Sequence, residues 1–362
     1  MLIQKKMFHK LLRKNQPGGF VGLFKNIIGL LALVLTTICQ GAGKSETLEL
    51  DVISYDDFAA QNREALQVLK KALYEKGIVG IRGIPGYREK VQNYIEAARK
   101  FSTLPEEVKD SYAPNRDLGE LFLGYERGKE KFMRPDGSWI VDDLKVSYYA
   151  WVPDHQENKW PVEVDLKTAF QDLGMLMVQM GEAVMEVVGL IGPKTGISLD
   201  GVFRLGRMLY YRKNSDSAFQ ENPNWCGNHF DHGMFTTLIP GFYFIDGKEV
   251  SEPEEAGLFV KTNTDGVFRK VIANRDVMMF QVGEFGQLAT NDEIRATEHC
   301  VHKAEGNVER YSMAVFADAP MDAVIHSTSV LIKDARYGGN AGDPCSYRRW
   351  NDESFKRYLA KD

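Results

Sequence analysis

The sequence predicts an α+β fold with a mainly β core: a double-stranded β-helix, or jelly roll, flanked by helices, with an N-terminal α/β region and a long spine helix. Three observations predict it. From about residue 202 to 320, short apolar and β-branched runs are broken by Gly, Pro, Asn and Asp, as in Leu258-Phe-Val260, Val277-Met-Met-Phe280 and Ser312-Met-Ala-Val-Phe316. Many short strands of this kind suit a double-sheet jelly roll. Residues 162–190 carry the strongest helical period, with Phe170, Leu173, Leu176, Met177, Met180, Ala183, Val184 and Val187 on one side. Ahead of that stretch, strand-like and helix-like segments alternate.

From Asp56 to Lys76, Phe58, Leu66, Leu69 and Leu73 recur at helical spacing, with Asp56 or Asp57 as the cap and Gly77 as the stop. Tyr87 to Phe101 predicts a second helix burying Val91, Ile95, Ala98 and Phe101, and Pro105-Glu-Glu107 starts a short third one. The 162–190 helix is expected to pack under a sheet, its methionines filling core gaps. Ser346-Tyr-Arg-Arg-Trp350 to Leu359 reads as a closing helix. The resulting division is a leader (1–42), an N-terminal region (48–165), the spine helix (166–200), the jelly roll (201–322) and a C-terminal extension (323–362).

The leader differs from the rest. It holds Lys5, Lys6, Lys10, Arg13, Lys14 and Lys25, and no acid occurs before Glu46. An apolar run, Ile27 to Ile38, and the small residues Gly41-Ala-Gly43 follow. Basic, apolar, then small is the order of a secretory signal peptide. The run is short of the ~20 residues of a membrane span. An uncleaved anchor, a lipoprotein site at Cys39 and a buried helix are the alternatives. Export or anchoring is expected, with a cytoplasmic location as the other reading.

The chain has 362 residues, 44% hydrophobic and 26% charged, ordinary globular usage. Past residue 42 there remain 39 basic against 50 acidic residues, a charge of −11. That balance argues against nucleic acid as a partner. The expected partner is a small molecule, a membrane enters only through the leader, and a monomer is expected. Cys226, Cys300 and Cys345 show no CxxC spacing and no disulfide framework.

The chemistry lies in His229-Phe-Asp231-His-Gly233-Met-Phe-Thr236, the distant His299, and Arg310-Tyr-Ser312. Two neutral imidazoles and a carboxylate on one face leave open positions on Fe(II). A strand sends alternate side chains to the same side, so residues 229 and 231 share a face if this stretch is β. By the same parity His232 faces away from His229, and His302 away from His299. Arg310 and Ser312 share a face, where a two-pronged guanidinium and a hydroxyl suit a carboxylate. HxD alone is weak, as is RxS; their order along a strand-rich stretch gives them force. His9, His155 and His326 read as ordinary polar positions.

These motifs resemble the isopenicillin N synthase-like family of non-haem iron oxygenases, most of them 2-oxoglutarate-dependent. Gly77 to Pro85, Ala97 to Lys109, Gly124-Tyr125, Asp143-Leu-Lys145 and Asn158-Lys-Trp160-Pro161 are similar to family landmarks in family order. So are Tyr210-Tyr211, His229 to Leu238, Gln281 to Asn291 and His299-Cys-Val301. The resemblance spans about residues 48 to 360. It departs at Leu209, where the family has Asn, at Cys300, where it has Arg, and in Arg212 to Asn228, which lacks a proline-rich turn.

The resemblance implies Fe(II) held by His229, Asp231 and His299, and 2-oxoglutarate held by Arg310, Ser312 and Tyr211. Dioxygen is the second co-substrate, and ascorbate a candidate reductant. The implied activity couples 2-oxoglutarate decarboxylation to hydroxylation, desaturation or ring closure of a small molecule. Two alternatives stay open: an Fe(II) oxidase that places its own substrate's anion on Arg310, and a non-catalytic binding protein. Lys129, Lys131, Arg134, Lys145, Arg212 and Lys213 read as a solvated surface before a binding patch for an acidic substrate. Trp225 and Tyr148 read as packing.

Overall fold

The computed structural model describes residues 46–118, 120, 122–128, 130–133, 139–213 and 222–359. The leader lies outside these residues, as do Lys129 and Arg134. No helix among the described residues is long and apolar enough to cross a membrane.

The N-terminal region supplies β1 (Thr47–Glu49), β2 (Val52–Ser54), α1 (Tyr55–Ala59), α2 (Arg63–Glu75), β3 (Ile78–Arg82), α3 (Tyr87–Ser102) and α4 (Glu106–Asp110). Here the single helix expected over 56–76 is two helices. Ser54 caps α1, accepting from Asp57 N. Asn62 caps α2, accepting from Glu64 N and Ala65 N. A second capping residue stops one helix and starts another, which an apolar period alone does not reveal. Gly77 ends α2 as expected, at φ +68°, where a side chain is strained. All four residues expected on the buried side of α3 are buried.

Next come β4 (Gly124–Arg127), β5 (Glu130–Met133), β6 (Trp139–Asp142), β7 (Lys145–Trp151) and the spine helix α5 (Leu166–Val187). The helix begins only at 166, because Asp165 accepts from Thr168 N and caps it there. It lies under the sheet as expected: Phe170, Leu173, Met177 and Val184 share one buried cluster with Met208, Tyr210, Met313 and Val315 of the strands above.

The rest is β8 (Phe203–Tyr211), β9 (Asn224–His229), β10 (Phe235–Leu238), β11 (Phe242–Ile245), β12 (Lys248–Val250), β13 (Gly257–Lys261), β14 (Phe268–Ile272), β15 (Val277–Val282), α6 (Glu284–Ala289), β16 (Glu298–His302), β17 (Val308–Asp318), β18 (Val324–His326), β19 (Pro344–Ser346) and α7 (Tyr347–Leu359). A ten-stranded sheet runs β2-β3-β15-β10-β17-β8-β7-β4, with β11 on β17 and β12 on β11. A five-stranded sheet runs β1-β14-β13-β16-β9. Side chains of both sheets meet: Tyr211, Tyr243 and Val308 pack with Trp225, Cys226 and Val301. Ile78, Val277 and Met279 pack with Leu48, Val260 and Val271. Two sheets facing each other, with helices on the outer face of the larger one, make the predicted jelly roll.

Candidate metal and co-substrate site

The chain leaves the small sheet at the end of β9 and enters the large one at β10. His229 is the last residue of β9, and Asp231 lies in the link. The two are thus not on one strand, contrary to the parity expectation. They still converge: His229 Nε2 is 3.8 Å from Asp231 Oδ1. His299, on β16, is the register partner of His229 on β9. Its Nε2 is 3.9 Å from the same Asp231 oxygen, and the imidazole centroids are 4.1 Å apart. One ligand atom from each residue falls within 4.8 Å of the other two.

The atoms facing away from this point are occupied. His229 Nδ1 lies 2.8 Å from Gly227 O. His299 Nδ1 lies 2.6 Å from Gln281 Nε2 and 3.2 Å from Thr297 O. Thr236 Oγ1 donates to Asp231 Oδ2 at 2.6 Å. Outer partners of this kind fix the orientation of each ring, with Nε2 turned toward the other two side chains. Burial pushes the His299 imidazole down to about 4, and the neighbouring His229 adds to the shift. Burial also opposes charge on His229, but Cys226 and Asp231 outweigh it and carry that group up to about 9. For Asp231, burial works to raise the carboxyl; the two imidazoles and Thr236 outweigh it and hold it below its usual range.

The C-terminal extension grips the same link. Trp350 Nε1 donates to His232 O at 2.8 Å, and Glu284 N donates to Asp231 O at 2.8 Å. Arg336 holds both Glu284 oxygens at 2.6 Å and lies 4.0 Å from the Trp350 ring centroid. The His232 ring turns outward, its Nε2 3.2 Å from Asn351 Oδ1. His302 stacks at 3.8 Å on Phe259, and burial, with Lys270 beside it, pushes it down to about 4. His302 thus faces away from the cluster, as strand parity predicts; His232 also does, but from the link between the sheets, where strand parity does not apply.

Arg310 and Ser312 stand opposite Tyr211 and Leu209 across the β17–β8 ladder, so all four share the inner face. The Arg310 guanidinium lies 5.1 Å from the Tyr211 ring centroid, and its Nε donates to Tyr243 OH at 3.2 Å. Its Nη1 is buried with no hydrogen-bond partner among the described residues. Gly241 lets the backbone pass: a Cβ there falls 2.5 Å from Arg310 Nε. Ser312 Oγ donates inward to Ile239 O at 2.9 Å. Tyr211 is buried and stacks on Trp225, its centroid 5.3 Å away.

Lys145 is not the solvated cation expected. It sits opposite Tyr211 on β7, 5% exposed, with Nζ 3.1 Å from Cys226 Sγ. Arg212 pairs with Glu106 at 2.5 Å, away from this face. Trp225 and Tyr148 are buried, as expected of packing residues. Sequence reasoning did not single out Thr236, Gln281 and Tyr243. Thr236 and Gln281 stood inside the quoted motifs, whereas nothing local marked Tyr243.

No family model and no curated protein matches the chain. Solved structures do. A full-length Neurospora crassa protein in complex with alpha-KG aligns with TM-score 0.64 at 20% identity, over 85% of this chain and 96% of that one. JOX2 in complex with 2OG, Fe and JA gives 0.59 at 16%, over 94% of each. The rice dioxygenase for auxin oxidation gives 0.59 at 17%, over 85% and 95%. The class that the fold defines is therefore the jelly roll that these solved structures share. Within it the chain has the architecture of the Neurospora protein and JOX2 over nearly their full lengths.

Proposed function

We propose that the chain is a non-haem Fe(II), 2-oxoglutarate-dependent oxygenase of the isopenicillin N synthase-like family, acting on a small molecule. The convergence of His229 Nε2, His299 Nε2 and Asp231 Oδ1 carries this reading. The donor set fits the ion: two imidazoles and one carboxylate oxygen, each with its other polar atom already engaged. Arg310 fits the co-substrate, because its buried, unpartnered Nη1 suits a carboxylate oxygen. When bound, the ferrous ion supplies dioxygen activation, driven by oxidative decarboxylation of 2-oxoglutarate.

The protein's part is orientation and exclusion. Thr236 occupies Asp231 Oδ2 and so offers Oδ1 alone. Gly227 and Gln281 hold the two rings with Nε2 inward. Arg310, braced by Tyr243 and lying on Tyr211, takes the distal carboxylate of 2-oxoglutarate, joined by Ser312 once its hydroxyl turns from Ile239 O. Small-molecule substrates fit the similar structures, JOX2 being bound to JA and the rice enzyme oxidising auxin. The basic, apolar, small-residue order of the leader supports export.

The test is succinate formation by purified protein with Fe(II), ascorbate, oxygen and 2-oxoglutarate. Arg310 requires that succinate appear only when 2-oxoglutarate is supplied. Oxygen uptake at the same rate without it would move the chain to the oxidase reading.

A further inference from the structure

Beside the His229–Asp231–His299 cluster, and outside it, two reactive side chains meet inside the barrel. Lys145 comes from β7 in the large sheet and Cys226 from β9 in the small one. Both are buried, at 5% and 7% exposure. Nζ and Sγ are 3.1 Å apart, close enough for a single inserted atom to span them. Sγ also lies 3.8 Å from His229 Nδ1. Cys300 and Cys345 are buried too, and among the described residues all three cysteines are free, so a disulfide does not consume Cys226.

We propose that Lys145 and Cys226 are a modification site: dioxygen links them covalently through one oxygen atom, Nζ–O–Sγ, tying the two sheets together beside the metal cluster. The step balances with dioxygen as the sole oxidant. The amine gives up one hydrogen and the thiol its one. An N–O and an O–S bond form while the O–O bond breaks. The second oxygen atom leaves as water carrying both hydrogens. Nitrogen and sulfur each lose two electrons, and the four together reduce dioxygen completely. Sulfur so modified stands at the reversible, sulfenic level of oxidation, from which a thiol reductant recovers the cysteine thiol. Burial protects the linked sulfur from further oxidation, because peroxide and thiols reach it only when the barrel opens. The link needs neither bound iron nor 2-oxoglutarate, so its test is separate from that of the oxygenase function.

The experiment is peptide mass mapping of the full chain, purified in air without reductant, denatured, alkylated and digested. The expected product joins the Lys145 peptide to the Cys226 peptide, heavier than their sum by one oxygen and lighter by two hydrogens. Dithiothreitol before alkylation abolishes it and returns an alkylated Cys226 peptide. Cys226→Ser and Lys145→Arg each lack it, whereas Cys300→Ser keeps it. Complete alkylation of Cys226 in the oxygen-exposed, unreduced protein overturns the proposal, as does a Cys226 sulfenic acid with Lys145 unlinked. The decisive reading is on the unsubstituted protein, so a variant that fails to fold does not affect it.

Discussion

The two ends of the site are built on opposite plans. At the His229–Asp231–His299 end, each residue's second polar atom is tied down within the protein, and one ligand atom of each faces those of the other two. At the Arg310 end, the surplus is a donor: one buried guanidinium nitrogen without a partner. Two imidazole nitrogens and a carboxylate oxygen turned to one point suit a metal cation, and a surplus charged donor calls for an anion. The difference teaches that leftover atoms, more than residue identity, define what each end binds. Burying such atoms without a partner costs stability, so each is explained by the ligand it takes.

The largest effect should come from breaking the acceptor end. His229→Ala or Asp231→Ala should remove tight metal binding and succinate formation together. Retained 2-oxoglutarate turnover in either variant would end the ligand assignment. Next is the donor end. Losing a charged hydrogen-bond partner costs about 2–3 kcal/mol. Arg310→Ala should therefore raise the 2-oxoglutarate requirement by roughly 30- to 150-fold with metal affinity nearly unchanged. An unchanged requirement would assign Arg310 to the substrate's own anion. Arg310→Lys should recover only part of the loss, since a point charge does not replace a planar fork.

The outer contacts sharpen the contrast. Gln281→Leu frees the His299 ring and should weaken metal binding by roughly 10- to 100-fold. Calorimetry with manganese would show it, and wild-type affinity would mean that Thr297 O suffices. The same titration carries a pH signature. His229 holds its proton up to about 9, and an ion must displace it. Metal affinity should then rise as pH climbs toward that value, with proton release into the buffer. A flat affinity over that range would show His229 to be neutral already. The smallest effect is at Trp350→Phe. It removes the hydrogen bond to His232 O and should cost about 1 kcal/mol in stability, with a several-fold weaker metal site.

Much of this was legible in the sequence because it is local. The apolar periods of α3 and α5 and the parity of Arg310 with Ser312 depend on neighbours a few residues away. The same holds for His302, turned from the cluster on β16. What was not legible depends on residues far along the chain. Gln281 reaches His299, Tyr243 reaches Arg310, and Trp350 reaches back to His232. The burial of Lys145 follows from β7 pairing with β8, so its surroundings say nothing of it in advance. One local inference also failed: His229 and Asp231 converge without sharing a strand, because the chain changes sheets between them.

The most direct test of the central claim is anaerobic absorption spectroscopy of the protein with Fe(II) and 2-oxoglutarate. Keto-acid chelation of a ferrous ion gives a visible charge-transfer band. The wild-type chain should show it at one ion per chain, and a folded His299→Ala variant should not. The same band at the same stoichiometry in that variant would contradict the three-residue site.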